Sequence, residues 1–389
     1  MKKRFVVPVV AGLIASNLLT YHIAIERATH GLSGVDFARI SNLESTIDKY
    51  YLGDVDKKAY MTGIMKGIVS SLGDPYSEYM TKEEYARLSE MTTGSFFGIG
   101  VVIGPGEHNL ITIISPIKGS PADEAGLKSG DQILAVDGEE FTADAMQGAV
   151  AKMKGAKGTE VQLKVLTKQG AQKTLRLKRD EIHVNSVESQ KIGDLGYIAI
   201  LEFKERTGEE FKTALQELRN QSVKGLVLDL RGNPGGVVDA AVSIADVLLP
   251  EGTIVTSKDK EGKELDHAVS DAEELGLPLA VLINGGSASA SEILAGAIRD
   301  FHAGILVGEK TFGKGVIQVV QPLPEGEALK LTIAQYFTPS GENIHKKGIA
   351  PDVEVTLPEG TQGVGPKFLE EDLQLQRAIN LVHERLSDV

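Results

Sequence analysis

The chain of 389 residues is 42% apolar, so it is long enough to bury the cores of about two or three domains. Its formal net charge of -13 argues against nucleic acid as a partner, because phosphate binding requires a basic surface. It contains no cysteine, which excludes disulfide bonds, thiolate catalysis and zinc–thiolate sites.

Residues 1–25 are predicted to form an export segment. The basic start from Met1 to Arg4 precedes a mostly apolar run from Phe5 to Leu19, which is the pattern of a secretory signal peptide or a signal anchor. No clear small-residue cleavage motif follows, so cleavage and retention as a membrane anchor both stay open. Either outcome predicts an extracytoplasmic protein that is membrane-anchored, periplasmic or secreted.

A helical region is predicted over residues 26–93. Its apolar residues recur at helical spacing, and Phe37, Ile40, Leu43 and Ile47 share one face. No chemistry-bearing cluster stands out here, so internal packing or a homodimer contact is the expected use of this region.

Residues 94–180 change to short β-rich runs that alternate with glycine turns. The run from Ser120 to Gly138, which contains Ser-Pro-Ala, Ala-Gly-Leu, Gly-Asp and Val-Asp-Gly in order, closely resembles a PDZ domain. PDZ domains bind a chain end as an added strand and hold its carboxylate with loop N–H groups. The resemblance implies a peptide groove at Gly98, Ile99, Gly100, Val101, Ile103, Met146 and Val150. A purely structural turn at 98–100 is the alternative.

Residues 181–357 have the strand–helix alternation of an α/β domain. Short apolar runs typical of buried strands lie at 196–201, 224–230, 278–283 and 305–308. The tail, residues 358–389, is expected to form one amphipathic helix over 368–386 that docks on another part of the protein or on a second copy.

Three serines, Ser287, Ser289 and Ser291, lie where the apolar run 278–283 turns into a helix-forming run. A strand that turns sharply into a helix leaves backbone N–H groups free at the helix start, beside the side chains of the turn. This is a suitable place for a nucleophile next to an anion site. The ordinary alternative is a tight turn with a serine cap.

A serine nucleophile needs a base. None of the eight histidines lies in a glycine-rich turn beside a strand end, so nothing marks a Ser-His-Asp triad, although one is not excluded.

Lys314 stands between Gly313 and Gly315, before an apolar run that could desolvate its amine. To act as a base near neutral pH, Lys314 needs a pKa well below the usual lysine value of about 10.4. If the following strand is regular, Gln318 shares its face and could orient the amine without adding charge. An ordinary turn lysine is the alternative.

Nearly all of the chain after residue 35 resembles the C-terminal processing peptidases, the tail-specific serine proteases with a Ser–Lys dyad. Besides the PDZ run, the matching motifs are Asp74-Pro-Tyr-Ser77, Leu228-Asp-Leu-Arg-Gly-Asn-Pro-Gly-Gly236, Gly286-Ser-Ala-Ser-Ala-Ser-Glu292, Gly308-Glu-Lys-Thr-Phe-Gly-Lys-Gly315 and Thr338-Pro-Ser-Gly341. The resemblance implies an α/β protease core, of the crotonase/ClpP-like class, with an inserted PDZ domain and helical segments at both ends.

The resemblance also implies roles for single residues. Ser289 would be the nucleophile, Lys314 the base and Gln318 the residue that orients the base. Gly235 and Ala290 would supply the backbone N–H groups of an oxyanion hole. Neither a metal nor another cofactor is implied. The expected activity is that of a serine endopeptidase that recognises protein C-termini through its PDZ domain and cleaves near them outside the cytoplasm.

Lys154 departs from the family pattern, since many relatives carry arginine at this position, just before the glycine. Lysine keeps the charge and loses the bidentate fork, which would weaken any arginine-based coupling between the PDZ domain and the active site.

Two other functions stay open from the sequence. A crotonase-like acyl-CoA enzyme could share the core, but an export segment and a PDZ module argue against a CoA substrate. A non-catalytic PDZ adaptor could keep the core as a scaffold, but it would not need Ser289, Lys314 and Gln318 together.

Overall fold

The computed structural model describes residues 33–271 and 274–387. The predicted export segment, residues 1–25, therefore lies outside the described residues. Within the two described ranges, no helix is long and apolar enough to cross a membrane.

The described chain begins with two helices, α1 (Gly34–Tyr50) and α2 (Lys57–Ser70). Ser33 starts α1 through a capping box: its hydroxyl accepts from the Asp36 N–H, and the Asp36 carboxylate accepts from the Ser33 N–H. No residue within α1 is buried. Of the apolar face predicted for this helix, Phe37, Ile40 and Leu43 are exposed and Ile47 is half-buried.

The PDZ region is inserted between two paired strands. The chain reaches it through β1 (Glu78–Met80), α3 (Lys82–Thr93) and β2 (Ser95–Gly98). The region itself consists of β3 (Val101–Pro105), β4 (Ile111–Pro116), α4 (Pro121–Glu124), β5 (Gln132–Val136), β6 (Glu139–Glu140), α5 (Met146–Met153), β7 (Glu160–Leu166) and β8 (Gln172–Lys178). The chain leaves it through β9 (Asp180–His183), which pairs antiparallel with β2. Two adjacent strands thus tie the PDZ region to the rest of the chain.

The sheet of the PDZ region has the order β3-β4-β5-β7-β8, with β6 on β5. Alternate residues of its strands, such as Ile111, Ile113, Leu163 and Val165, are fully buried and form one core with α4 and α5. This alternation is the pattern of an antiparallel sheet with one covered face.

The peptidase-like core is built on a six-stranded sheet. Its strands are β10 (Val187–Ile192), β11 (Leu195–Ile200), β12 (Gly225–Asp229), β15 (Leu279–Ile283), β16 (Ile305–Gly308) and β19 (Val353–Glu354), in that order. All neighbours pair in parallel except β10, which is antiparallel to β11. The carboxyl ends of β12 and β15 therefore lie side by side, where open α/β sheets bind their ligands.

Helices cover both faces of this sheet. Ile198, Leu228 and Val281 pack on one face against α6 (Thr207–Asn220), α7 (Val238–Leu248) and α8 (Ala290–Asp300). Val227 and Ala280 pack on the other face against α9 (Leu373–Ser387). Coverage of both faces explains why β12 and β15 are continuous apolar runs rather than alternating ones.

A second sheet contains the strand that follows Lys314. It has the order β1-β18-β13-β14, and β17 also pairs with β18. The strands not yet given are β13 (Gly252–Lys258), β14 (Glu264–Ser270), β17 (Val316–Pro322) and β18 (Ala328–Phe337). Because β1 precedes the PDZ region and β18 follows it, this sheet joins both sides of the insertion, and Met80 lies opposite Ala328.

A buried ion cluster anchors the tail helix to the sheet. The Arg231 guanidinium donates to Asp229 at 2.6 Å and to Asp372 at 2.8 Å, and the Arg231 and Asp372 side chains are 1% and 0% exposed. Asp372 also accepts from the Leu375 N–H at 3.0 Å. This cap places the start of α9 at Leu373, five residues after the predicted start at 368.

Arg231→Met is expected to lower the free energy of unfolding by about 3–5 kcal/mol, because it leaves two buried carboxylates without their cation. Urea denaturation measures the change. Arg377→Met is the matched control, since it breaks an ion pair with Glu384 whose side chains are 39% and 59% exposed, and should cost less than about 1 kcal/mol. Equal losses in the two variants would contradict the anchoring role.

Candidate active site

The turn between β15 and α8 separates the three serines by function. The Ser287 hydroxyl donates to the Leu230 carbonyl at 2.8 Å, and the Ser291 hydroxyl donates to the Asn233 carbonyl at 3.0 Å. Both side chains are fully buried and tie this turn to the loop after β12. Ser289 is the partly exposed serine of the three. The turn thus leaves one hydroxyl available for chemistry.

Ser289 has a strained backbone. Its φ of 55° and ψ of -114° lie where a residue with a side chain is rarely found. Such a conformation costs on the order of 1–3 kcal/mol and persists only where its surroundings enforce it. A nucleophile on a sharp strand-to-helix turn is held in this way. The first residue of α8, Ala290, follows it directly, at the positive end of the helix.

The loop after β12 brings Gly235 against Ser289. A Cβ on Gly235 would lie 2.7 Å from Ser289 Cβ and 3.0 Å from the Ala290 nitrogen, and its φ is +102°, so only glycine fits. The Gly235 N–H donates to Asn233 Oδ1 at 2.9 Å. Gly235 and Ala290, the two residues implied for the oxyanion hole, therefore lie beside Ser289, and the Asn233 side chain already accepts the N–H of Gly235.

Glu292 links Ser289 to Lys314. Its carboxylate is fully buried, and Oε2 accepts from the Ser289 N–H at 2.9 Å and from the Lys314 N–H at 2.8 Å. Oε1 accepts from the Gly313 N–H at 2.7 Å and from the Thr311 hydroxyl at 2.6 Å. Four donors satisfy the buried charge, as burial requires.

Sequence reasoning did not identify Glu292 as a functional residue. The only local signal is Ser289-x-x-Glu292, which is also the pattern of a helix capping box. The contacts with residues 311–314 depend on tertiary structure, so no local pattern reveals them.

Lys314 is half-buried, and its backbone is fixed on two sides. In addition to the bond with Glu292, its carbonyl accepts from the Tyr336 hydroxyl at 2.6 Å. Burial lowers the pKa of Lys314, repulsion from Lys330 lowers it further, and the charges of Asp74 and Glu292 act in the opposite direction. Its Nζ lies 4.9 Å from the centroid of the Tyr76 ring. Among the described residues, no hydrogen bond joins Nζ to Ser289 Oγ.

Gln318 lies in β17, and its amide donates to the Thr332 hydroxyl of β18 at 3.2 Å. The register between these strands shifts at Ile317 and Gln318, so the pairing is irregular here. β17 begins only at Val316, after the glycine that follows Lys314. The structure thus places the Gln318 amide against Thr332 of β18.

The predicted peptide groove of the PDZ region is formed by the loop at residues 98–100, strand β3 and helix α5. The side chain of Ile99 is 2% exposed, and the Gly100 carbonyl accepts from the Ser120 hydroxyl at 2.9 Å. Within the described ranges, no hydrogen bond uses the N–H of Ile99 or Gly100. The half-buried apolar side chains that flank this loop on β3 and α5 are Val101, Ile103, Met146 and Val150. Such an arrangement suits an added strand that ends in a carboxylate.

Lys154 lies directly after α5. Its ammonium contacts the Glu90 carboxylate of α3 and lies 5.0 Å from the centroid of the Phe96 ring of β2. Its contacts thus connect the end of the PDZ helix to the segment that leads into the PDZ region.

Models of three protein families match three parts of the chain. A model of peptidase family S41 matches residues 194–355, a PDZ domain model matches residues 87–166, and a model described as the N-terminal domain of the activating protease CtpB matches residues 19–84. The expected fold class, an α/β protease core with an inserted PDZ domain and terminal helices, is confirmed.

Individual proteins are similar over most of the chain. A probable CtpA-like serine protease of Staphylococcus saprophyticus subsp. saprophyticus is 36% identical, and the alignment covers 89% of this chain and 72% of that protein. A protein of the same description from Staphylococcus aureus (strain MSSA476) is 37% identical, with 87% and 69% covered. The solved structure of a photosystem II D1 C-terminal processing protease is 31% identical, with a TM-score of 0.50 over 91% of this chain and 94% of that one. The chain therefore belongs to peptidase family S41, as a serine-type C-terminal processing peptidase with a PDZ domain.

Proposed function

We propose that the protein cleaves protein substrates near their C-termini with Ser289 as the nucleophile and Lys314 as its base. The observation that carries this proposal is the shared carboxylate of Glu292, which accepts the N–H groups of both residues on one oxygen. This bond keeps the nucleophile turn and the base loop together. The lowered pKa of the half-buried lysine supports the same assignment.

In this mechanism the neutral Lys314 amine takes the proton of Ser289 while Oγ bonds to the scissile carbonyl carbon. The carbonyl oxygen becomes an oxyanion, to which the N–H groups of Gly235 and Ala290 donate. The Lys314 ammonium then gives its proton to the leaving amine as the C–N bond breaks, and an ester on Ser289 remains. Water attacks this ester with Lys314 again as the base, which releases the new carboxyl terminus and restores the serine.

The two other functions considered from the sequence are less well supported. The family S41 match covers Ser289, Lys314 and Gln318, and the similar curated proteins are described as probable serine proteases. An acyl-CoA enzyme has no comparable support, and a non-catalytic adaptor would not need a strained serine backbone next to a half-buried lysine.

We further propose that the PDZ region binds the C-terminus of the substrate. The unengaged N–H groups of Ile99 and Gly100 would hold the α-carboxylate, and the flanking apolar side chains would hold the last residues of the substrate.

We also propose that this binding gates the protease. Binding would move α5, and the contacts of Lys154 with Glu90 and Phe96 would transmit the movement to the segment before the core. Deletion of residues 95–178 tests this gating, because unchanged substrate selectivity would contradict it.

We propose that the enzyme acts outside the cytoplasm. The basic start and the apolar run of residues 1–25 support export. Cell fractionation with mass spectrometry of the mature N-terminus separates a retained membrane anchor from a cleaved signal peptide. Full-length enzyme found only in the cytosol would contradict export.

We also propose a homodimer through the N-terminal helices. Leu43 of α1 and Met61 of α2 are 63% and 60% exposed, and other apolar residues of both helices are exposed with them. A second copy would cover these exposed apolar side chains. Sedimentation velocity tests this proposal: the wild-type protein should be a dimer and Leu43→Glu a monomer, whereas a monomeric wild type at micromolar concentration would contradict it.

Ser289→Ala and Lys314→Ala are each expected to lower kcat/KM on an unfolded protein substrate by about 10³-fold or more, because each removes a group that makes or breaks a bond in the first step. Lys310→Ala is the matched control, since this lysine is exposed a few residues before Lys314 and should leave the rate unchanged. Near-normal cleavage by either dyad variant would show that the dyad is misassigned.

A peptide with a free C-terminal carboxylate is expected to bind Ser289→Ala enzyme about tenfold or more tightly than the same peptide with a C-terminal amide. The carboxylate accepts charge-assisted hydrogen bonds that the neutral amide makes only weakly. Isothermal titration with both peptides measures the difference, and Met146→Lys, in the apolar wall, should weaken binding of both. Equal affinity of the two peptides for the unaltered groove would contradict carboxylate capture.

A further inference from the structure

The aromatic contact of Lys314 comes from a distant part of the sequence. Its Nζ lies 4.9 Å from the centroid of the Tyr76 ring, within the range in which the face of an aromatic ring attracts an ammonium. Tyr76 belongs to the turn before the PDZ region, whereas Lys314 follows that region. The ring therefore reaches the active site from outside residues 194–355, which match the peptidase family.

The ring is held by a rigid turn. The Asp74 carboxylate accepts from the Ser77 hydroxyl at 2.6 Å and from the Tyr76 N–H at 3.1 Å. The Ser77 hydroxyl oxygen in turn accepts from the Thr332 N–H of β18 at 3.0 Å. The strand β1 continues the turn and pairs with β18. Tyr76 is therefore fixed to the same sheet that carries the strand after Lys314.

The backbone of Lys314 is fixed from the opposite side. Glu292 accepts from its N–H at 2.8 Å, and the Tyr336 hydroxyl donates to its carbonyl at 2.6 Å. The backbone of Lys314 is therefore held, whereas within the described ranges no hydrogen bond fixes its Nζ. A flexible lysine side chain on a fixed backbone is suited to carry a proton between two groups that its Nζ can reach.

Among the described residues, the charged groups around the Lys314 amine act on it without forming an ion pair with it. Burial and Lys330 on β18 favour the neutral amine, while Asp74 in the turn and Glu292 on α8 favour the ammonium. Within the described ranges, no ion pair includes Lys314. Lys330 is itself paired with Glu78 at 3.1 Å. A carboxylate in contact with Nζ would hold the proton more strongly than an aromatic ring does.

We propose that Tyr76 is a positioning residue for the base, whose ring face holds the Lys314 ammonium between proton uptake from Ser289 and proton delivery to the leaving amine. This inference rests on the proposed Ser289–Lys314 dyad. The ring attracts the ammonium and not the neutral amine, so it favours the first proton transfer. Because the ring accepts no proton, the ammonium remains able to pass its proton to the leaving group.

The test is the pH dependence of kcat/KM for Tyr76→Leu, with Tyr76→Phe as the matched control that keeps a ring. The base must be neutral, so activity rises with pH through the pKa of Lys314. The ring stabilises the protonated form and raises this pKa, so Tyr76→Leu should move the acid limb to lower pH by about half a unit to one unit. Its kcat should also fall several-fold, with KM nearly unchanged, because the weaker base is no longer held in place.

In the Tyr76→Phe variant, the acid limb of the pH profile of kcat/KM should lie at the same pH as in the wild type. Coincident profiles for Tyr76→Leu and Tyr76→Phe would overturn the proposal, and so would an equal shift in both variants, which would assign the effect to the hydroxyl group. Thermal unfolding confirms that each variant is folded.

Fluorinated phenylalanines introduced at position 76 give a second test that changes shape little. Each added fluorine weakens the negative face of the ring, so the acid limb should move stepwise to lower pH as fluorines are added. No trend along the series would overturn the proposal. Failure of the dyad itself is distinguishable, because Lys314→Ala would then retain cleavage, whereas an inactive Lys314→Ala with an unshifted Tyr76→Leu would contradict only the role of Tyr76.

Discussion

One buried carboxylate connects the two parts of this active site. Glu292 is fully buried and accepts four hydrogen bonds, two of them from the N–H groups of Ser289 and Lys314. A buried charge must be satisfied in this way, since an unpaired carboxylate in the interior is costly. The same bonds hold the strained backbone of Ser289 and the glycine-flanked loop of Lys314, neither of which has a regular secondary structure to fix it. The geometry of both groups therefore depends on Glu292.

The two sheets explain why these groups meet. In the six-stranded sheet, the parallel strands β12 and β15 end side by side. This brings the loop that contains Gly235 against Ser289. The second sheet contains β17, which begins two residues after Lys314, and also β1 from before the PDZ region. The buried ion cluster of Arg231, Asp229 and Asp372 joins the start of the loop that contains Gly235 to the tail helix. Segments far apart in sequence thus converge on one serine.

The sequence indicated the parts of the site that depend on local pattern. The strand-to-helix serine turn, the lysine between two glycines and the inserted PDZ region each carry a short signature, and each lies in the element expected for it. The partners that arise from tertiary contact carried no such signature. Glu292 resembled a helix cap, and the ring of Tyr76 reaches Lys314 across the whole PDZ insertion. The orienting role of Gln318 stays a prediction, and the structure adds that its amide donates to Thr332 where the strand register shifts.

The most direct measurement of the central constraint is kcat/KM of Glu292→Gln on a peptide substrate, with circular dichroism to establish that the variant is folded. In either orientation the NH₂ group of the amide faces an N–H donor, those of Ser289 and Lys314 at one position and that of Gly313 at the other, so the turn of Ser289 or the loop of Lys314 must shift. A displacement of about 1 Å costs on the order of 100-fold in rate, and a fall of at least that size is expected with the dyad side chains intact. A folded Glu292→Gln enzyme with the wild-type kcat/KM would contradict the dependence of the active site on this carboxylate.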